Sequence, residues 1–150
     1  MRFVFVCLAF VLLAGCIDTS KPSDYDVAKG PLFTELGEPR PVRAGTGRIY
    51  FYRLLQFEAS ALDAKILDND VLVGQLRVGG YLTYDLEPGL HKIHTDTIAV
   101  DEPDTLDVKE GWTYYVRIRQ EGFWRSVLYS EQMNTEDALY DLQKMRYQGY

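Results

Sequence analysis

The chain has 150 residues, which allows one domain of ordinary size and a short appendage. With 47% hydrophobic and 25% charged residues it has a globular balance rather than a disordered one. A net charge of -6 without a basic run argues against nucleic acid as a partner, because that affinity comes from Lys and Arg on phosphates. It also disfavours electrostatic adhesion to anionic lipid, so any membrane contact is expected to be covalent.

The N-terminus supplies that contact. Met1-Arg2 is followed by an uncharged apolar run, Phe3 to Leu13. This is the layout of a secretion signal, and it is well short of the ~20 residues of a membrane-spanning helix. Leu13, Ala14, Gly15 and Cys16 then match a bacterial lipobox. Small residues before the cysteine fit a narrow peptidase subsite, and the thiol accepts a thioether-linked diacylglycerol. The alternative, a buried N-terminal helix with an incidental cysteine, does not account for the small-small-Cys step or the abrupt polar turn after it. Residues 1–15 are therefore expected to be a cleaved signal peptide, with Leu13, Ala14 and Gly15 recognised by the peptidase and Cys16 lipidated. Cys7 would leave with the signal, so no disulfide or thiol chemistry is expected in the mature chain. Two or three acyl chains anchor stably where one does not. Ile17 rather than Asp after the cysteine points to the outer membrane facing the periplasm, although Asp18 at the next position weakens that sorting argument.

Residues 16–46 are dense in breakers (Pro22, Pro31, Pro39, Pro41, Gly30, Gly37, Gly45) and read as a tether. Fully extended it would span ~100 Å. Leu32-Phe33 is an apolar patch within it that could dock on the body.

From Gly47 the pattern changes to short strands. GRIYFYR alternates Tyr50 and Tyr52 with Ile49 and Phe51. Ala64–Leu67 and Val71–Val78 follow, joined through Asp68-Asn69-Asp70, which suits the positive φ of a tight hairpin. Gly79-Gly80 leads into Tyr81–Leu86, and Glu87-Pro88-Gly89 turns into Leu90–Thr95. Further strands are expected at about Asp104–Val108, Thr113–Arg119 and Trp124–Gln132. In Thr113–Arg119 the alternation puts Tyr114, Val116 and Ile118 inward and Tyr115, Arg117 and Arg119 toward water. Asn134 or Thr135 caps a helix over Glu136–Tyr147 whose Ala138, Leu142 and Met145 form an apolar stripe, with Asp137 at the positive dipole end. The reading is a mainly β chain, an antiparallel β-sandwich of seven or eight short strands over 47–132, with one C-terminal α-helix in 133–150 packed on the sheet.

In this order and behind a lipobox, GRIYFYR, the Asp68-to-Leu76 hairpin, LEPGLHKI (Leu86 to Ile93) and GWTYYVRI (Gly111 to Ile118) resemble the bacterial lipoproteins carrying domain of unknown function 2846. The resemblance covers about residues 47–132. The Pro-Gly-x-His step is also similar to hairpins of PEGA-type and carboxypeptidase-regulatory-like sandwiches. The resemblance implies fold and location; the family has no established activity. The longer tether and the C-terminal helix depart from its minimal pattern.

Catalytic motifs do not assemble. His91 and His94 sit three apart in a strand and should face opposite ways, so they cannot easily share a metal, and no metal or cofactor is expected. His91 is instead expected to make a hydrogen bond at the start of its strand. Asp68-Asn69-Asp70 fails as a calcium loop because Leu72 and Val73 occupy a ligand and the glycine position. Ser126 and Ser130 lack the glycines of a nucleophile elbow. Loop carboxylates (Asp101, Glu102, Asp104, Glu110, Glu121) leave open a small cell-wall hydrolase working through an acid–base pair. Trp112 and Trp124 at strand mouths, and Tyr115, are the candidates for contact with a partner, since such rings stack on sugars or anchor proteins. The bland alternative for both tryptophans is that they cover the ends of the core. The expected function is a non-catalytic, lipid-anchored binding or scaffolding module for an envelope protein or cell-wall glycan. The hydrolase is one alternative, and a purely structural or inhibitory lipoprotein is another.

Overall fold

The structure, a computed structural model, describes residues 27–37, 40–56, 63–96, 103–122 and 127–149. The lipobox and Trp124 lie outside these residues. In chain order the elements are β1 (Gly47–Arg53), β2 (Ala64–Asp68), β3 (Val71–Leu76), β4 (Gly80–Leu86), β5 (Gly89–Thr95), β6 (Asp104–Val108), β7 (Thr113–Glu121), β8 (Val127–Met133), α1 (Thr135–Leu142) and β9 (Arg146–Tyr147). A 3-10 turn at Phe33–Glu35 precedes them.

The strands form a five-stranded sheet, β8-β7-β1-β4-β9, and a four-stranded sheet, β3-β2-β5-β6. The molecule is thus a mainly β, two-sheet sandwich with a C-terminal helix, as its sequence pattern implies. Pairing is antiparallel except that β1 runs parallel to β7 and β4 parallel to β9. A parallel pair needs a long crossover, and the chain between β1 and β7 provides it by building β4 and the opposite sheet.

Between the sheets, Ile49, Phe51, Ile66, Leu76 and Ile93 are all 0% exposed. Each such side chain contributes roughly 1.5–3 kcal/mol by leaving water. The hairpin between β2 and β3 turns on two residues, Asn69 at φ 46° and Asp70 at φ 67°, the left-handed geometry that this residue pair tolerates. β3 ends at Leu76, two residues sooner than its sequence suggests, because Val78 leaves the sheet to bridge Val27.

The five-stranded sheet is covered on both faces. Tyr50, Tyr52, Tyr81 and Tyr115 on its outer face pack with Ala138, Leu142 and Met145. This corrects the expectation that Tyr115 points to water. It is 9% exposed and stacks on Tyr50 with ring centroids 5.4 Å apart, because α1 roofs that face. Alternation assigns a residue to a face; it does not say whether the face is open. The helix is capped by Asn134, whose side chain accepts from the Asp137 N–H at 3.0 Å. It is shorter than the expected Glu136–Tyr147. After Leu142 the chain turns so that Arg146-Tyr147 can pair with the edge of β4, where main-chain groups gain ladder partners.

The described part of the 16–46 segment is not free tether. Residues 27–37 form a strap along β9. The Ala28 N–H donates to Val78 O (3.1 Å), the Tyr147 N–H to Pro31 O (2.8 Å) and the Phe33 N–H to Met145 O (2.9 Å). Gly30 permits the approach: a Cβ there would sit 1.9 Å from the Tyr147 carbonyl oxygen. Beyond the strap, residues 40–43 are held by Arg48 and Asp85, and Thr46 accepts from the Gly111 N–H at 2.9 Å.

Candidate functional site

The roof over the outer face is incomplete. Between the strap and the sheet lies a groove of about 220 Å³. Phe33, Leu36, Gly37 and Arg40 form its strap side; Arg48, Tyr50, Tyr81, Thr83 and Tyr147 form its sheet side. Period-2 alternation explains why β1 and β4 contribute as they do: Arg48 and Tyr50 share one face of β1, and they oppose Asp85 and Thr83 in register.

The aromatic wall is a packed set. Phe33 meets Tyr81 edge-on at 5.5 Å and Tyr50 edge-on at 6.2 Å, and Tyr81 lies 5.4 Å from Tyr147. These are the arrangements that ring quadrupoles favour, and they hold the wall in place. The charged corner is equally fixed. Arg48 donates to both Asp85 oxygens, Nε at 2.7 Å and Nη2 at 2.9 Å, and also to the main-chain oxygens of Arg40 and Pro41. These partners fix the guanidinium in place at the groove wall. Exposed Arg40 adds a second guanidinium at the rim.

Protonation follows from these surroundings. The Arg48 hydrogen bond holds the Asp85 carboxyl below the usual carboxylate range. Burial pushes the Tyr81 hydroxyl up to about 12 and also raises that of Tyr50. Near neutral pH the carboxylate stays charged and the phenols stay neutral. Such a surface suits stacking and hydrogen bonding better than proton transfer, which needs a group poised near the working pH.

The residues singled out in the sequence are scattered. Trp112 is 59% exposed in the turn before β7, with the Lys109 ammonium 5.4 Å from its ring. It is not part of the groove lining. Tyr115 lies under α1. Of the carboxylates expected in loops, Asp101 and Glu102 fall outside the described residues, Glu110 lies in a turn and accepts from the Gly45 N–H at 3.0 Å, whereas Asp104 opens β6 and Glu121 closes β7, where it pairs with Arg119. His91 is committed to structure: Nδ1 lies 2.8 Å from Asp68 Oδ2, and Nε2 lies 2.9 Å from Glu87 O. His94 reaches Asp70 instead, at 3.4 Å. Among the described residues no three His, Cys, Asp or Glu side chains gather as metal ligands would.

The groove itself was not anticipated from the sequence. Its signals were present: Tyr50 and Arg48 on one strand face, and Leu32-Phe33 in the proline-rich segment. What joins them is the pairing of the strap with β9, a two-residue strand too short to show a period.

The fold and groove define a class, a two-sheet sandwich whose outer face is roofed by a terminal helix and an N-terminal strap. Residues 43–128, more than half of the chain, match the family described as Protein of unknown function (DUF2846), and the chain belongs to that family. No curated protein and no solved structure matches it. Arg48, Tyr50, Tyr81 and Thr83 fall within the matched span, whereas Phe33, Arg40 and Tyr147 lie outside it.

Proposed function

We propose that this protein is a lipid-anchored module of the bacterial envelope, sited at the outer membrane and facing the periplasm, that binds a partner and catalyses nothing. The observation that carries the binding reading is the groove on the outer sheet face. Its aromatic wall and its Arg48 side chain are preorganised by partners within the chain, so little ordering cost is left for an occupant. The lipobox ending at Cys16 supports the anchor, and a cell-wall glycan is the favoured occupant because sugar faces stack on aromatic rings and hydrogen-bond to groups such as Thr83.

The test is calorimetric titration of the soluble body with solubilised cell-wall glycan fragments. Thr83→Phe fills the groove from a partly exposed strand position. Binding by the parent protein and at least a tenfold loss in that variant would support the reading. Equal binding by both would place the contact elsewhere, and binding by neither would remove glycan as the occupant.

A further inference from the structure

The charges lining the groove do not balance. Among the described residues its charged lining side chains are Arg40 and Arg48, both cationic. Arg48 is neutralised by Asp85, which accepts from its Nε at 2.7 Å and its Nη2 at 2.9 Å. Exposed Arg40 differs: among the described residues no carboxylate pairs with it. Glu35, the acidic residue of the strap, accepts from the Leu32 N–H at 2.8 Å instead. The remaining polar side chains of the lining carry hydroxyls, those of Tyr50, Tyr81, Thr83 and Tyr147. Burial keeps the Tyr50 and Tyr81 phenols protonated near neutral pH, so they bring donors and no negative charge.

We propose that the groove selects a saccharide that carries a carboxylate, seating one ring against Phe33 and Tyr81 and pairing the carboxylate with Arg40. The inference rests on the glycan-binding reading and names the feature of the glycan that is recognised. Size and charge both narrow the occupant. About 220 Å³ is below the ~300–1,000 Å³ of sites for drug-sized ligands, so the groove holds a single ring with one substituent rather than a length of chain. One unneutralised guanidinium suits a singly charged carboxylate, whose two oxygens meet its planar fork, better than a doubly charged phosphate. A chain with a net charge of -6 repels anions at long range, so their attraction has to come from a local cation such as Arg40. A neutral sugar would leave that cation unused, and a cationic one would be repelled by it.

Calorimetric titration of the full chain in nonionic detergent tests this, with N-acetylmuramic acid, its lactyl amide and N-acetylglucosamine 1-phosphate as probes. The acid and the amide differ only at the carboxylate. The acid should bind at least about fivefold more tightly than the amide, as a charge-assisted pair requires, and more tightly than the phosphate. Arg40→Gln should bring the ratio of acid to amide affinity close to one. The fold should tolerate that change, since Arg40 is exposed and holds Arg48 through its main-chain oxygen, and an unaltered thermal midpoint checks it. Equal affinity for acid and amide, a preference that survives Arg40→Gln, or tighter binding of the phosphate overturns the inference. So does an acid that fails to bind where solubilised glycan fragments do, and in all these cases the glycan reading stands. Binding of neither the probes nor the fragments overturns both.

Discussion

Arg48 and Asp85, thirty-seven residues apart in sequence, are directly opposed in the β1–β4 register and meet through two hydrogen bonds, 2.7 and 2.9 Å. The same guanidinium fastens the main chain at Arg40 and Pro41 to the sheet. The pair therefore holds a groove wall and the end of the strap region at once. Arg48→Met leaves a largely buried carboxylate and two carbonyl oxygens without this donor, and it should destabilise the fold by about 2–4 kcal/mol in urea unfolding. Asp85 titrates lower in the folded protein than in the unfolded chain. Its contribution is fully present above about pH 4 and is lost as pH falls through the lowered native value. Asp85→Asn should flatten the stability profile in that acid window and leave its shape at neutral pH unchanged.

The outer-face tyrosines set the opposite, alkaline limit. Burial raises the hydroxyls of Tyr50, Tyr52, Tyr81 and Tyr115, with Tyr81 reaching about 12. An ordinary phenol titrates near 10, so the folded state binds more protons than the unfolded state above that value. Stability should be constant with respect to these groups below about pH 10 and fall as pH rises from there toward 12. In a spectrophotometric titration of tyrosinate, these rings should ionise together with the loss of folded-state circular dichroism. Ionisation of all eleven tyrosines near pH 10 with the fold intact would contradict this burial.

His91 links the start of β5 to the end of β2. Its Nδ1 lies 2.8 Å from the Asp68 carboxylate and its Nε2 lies 2.9 Å from the Glu87 carbonyl oxygen. His91→Leu should cost about 1–3 kcal/mol, because Asp68 is left largely buried without its donor. A double-mutant cycle with Asp68→Ala should give a coupling of about 1 kcal/mol or more by urea denaturation. Additive losses would show that the contact carries no net stability.

The roof of the outer face can be weakened from either end of α1. Asn134→Ala removes the cap on the Asp137 N–H and should cost about 1 kcal/mol. Leu142→Ala empties a fully buried site beneath the helix and should cost about 2–5 kcal/mol. Thermal denaturation of both variants checks the ordering, with the core truncation the more damaging.

Much of the sandwich is legible in the sequence because short strands bounded by turn residues advertise themselves. The β2–β3 hairpin is a clear instance, as Asn69-Asp70 carries the chemistry of positive φ. The Asn134 cap and the stripe of Ala138, Leu142 and Met145 are legible for the same local reason. Contacts made across long sequence distances are not. The parallel β1–β7 pair depends on where a crossover lands, and Tyr115 looks outward until α1 is placed over it. The strap reads as linker because prolines and glycines mark both free chain and chain docked by main-chain hydrogen bonds. The groove, assembled from Phe33, Tyr50, Tyr81 and Tyr147, depends on all of these.

The proposed role rests on the proposed lipid anchor at Cys16, and metabolic labelling with radioactive palmitate tests that anchor most directly. The parent protein should take up label and run at the size of the chain beginning at Cys16, whereas Cys16→Ser should stay unlabelled and accumulate as the uncleaved precursor. An unlabelled parent, or a Cys16→Ser variant that is still labelled and processed, would contradict the account.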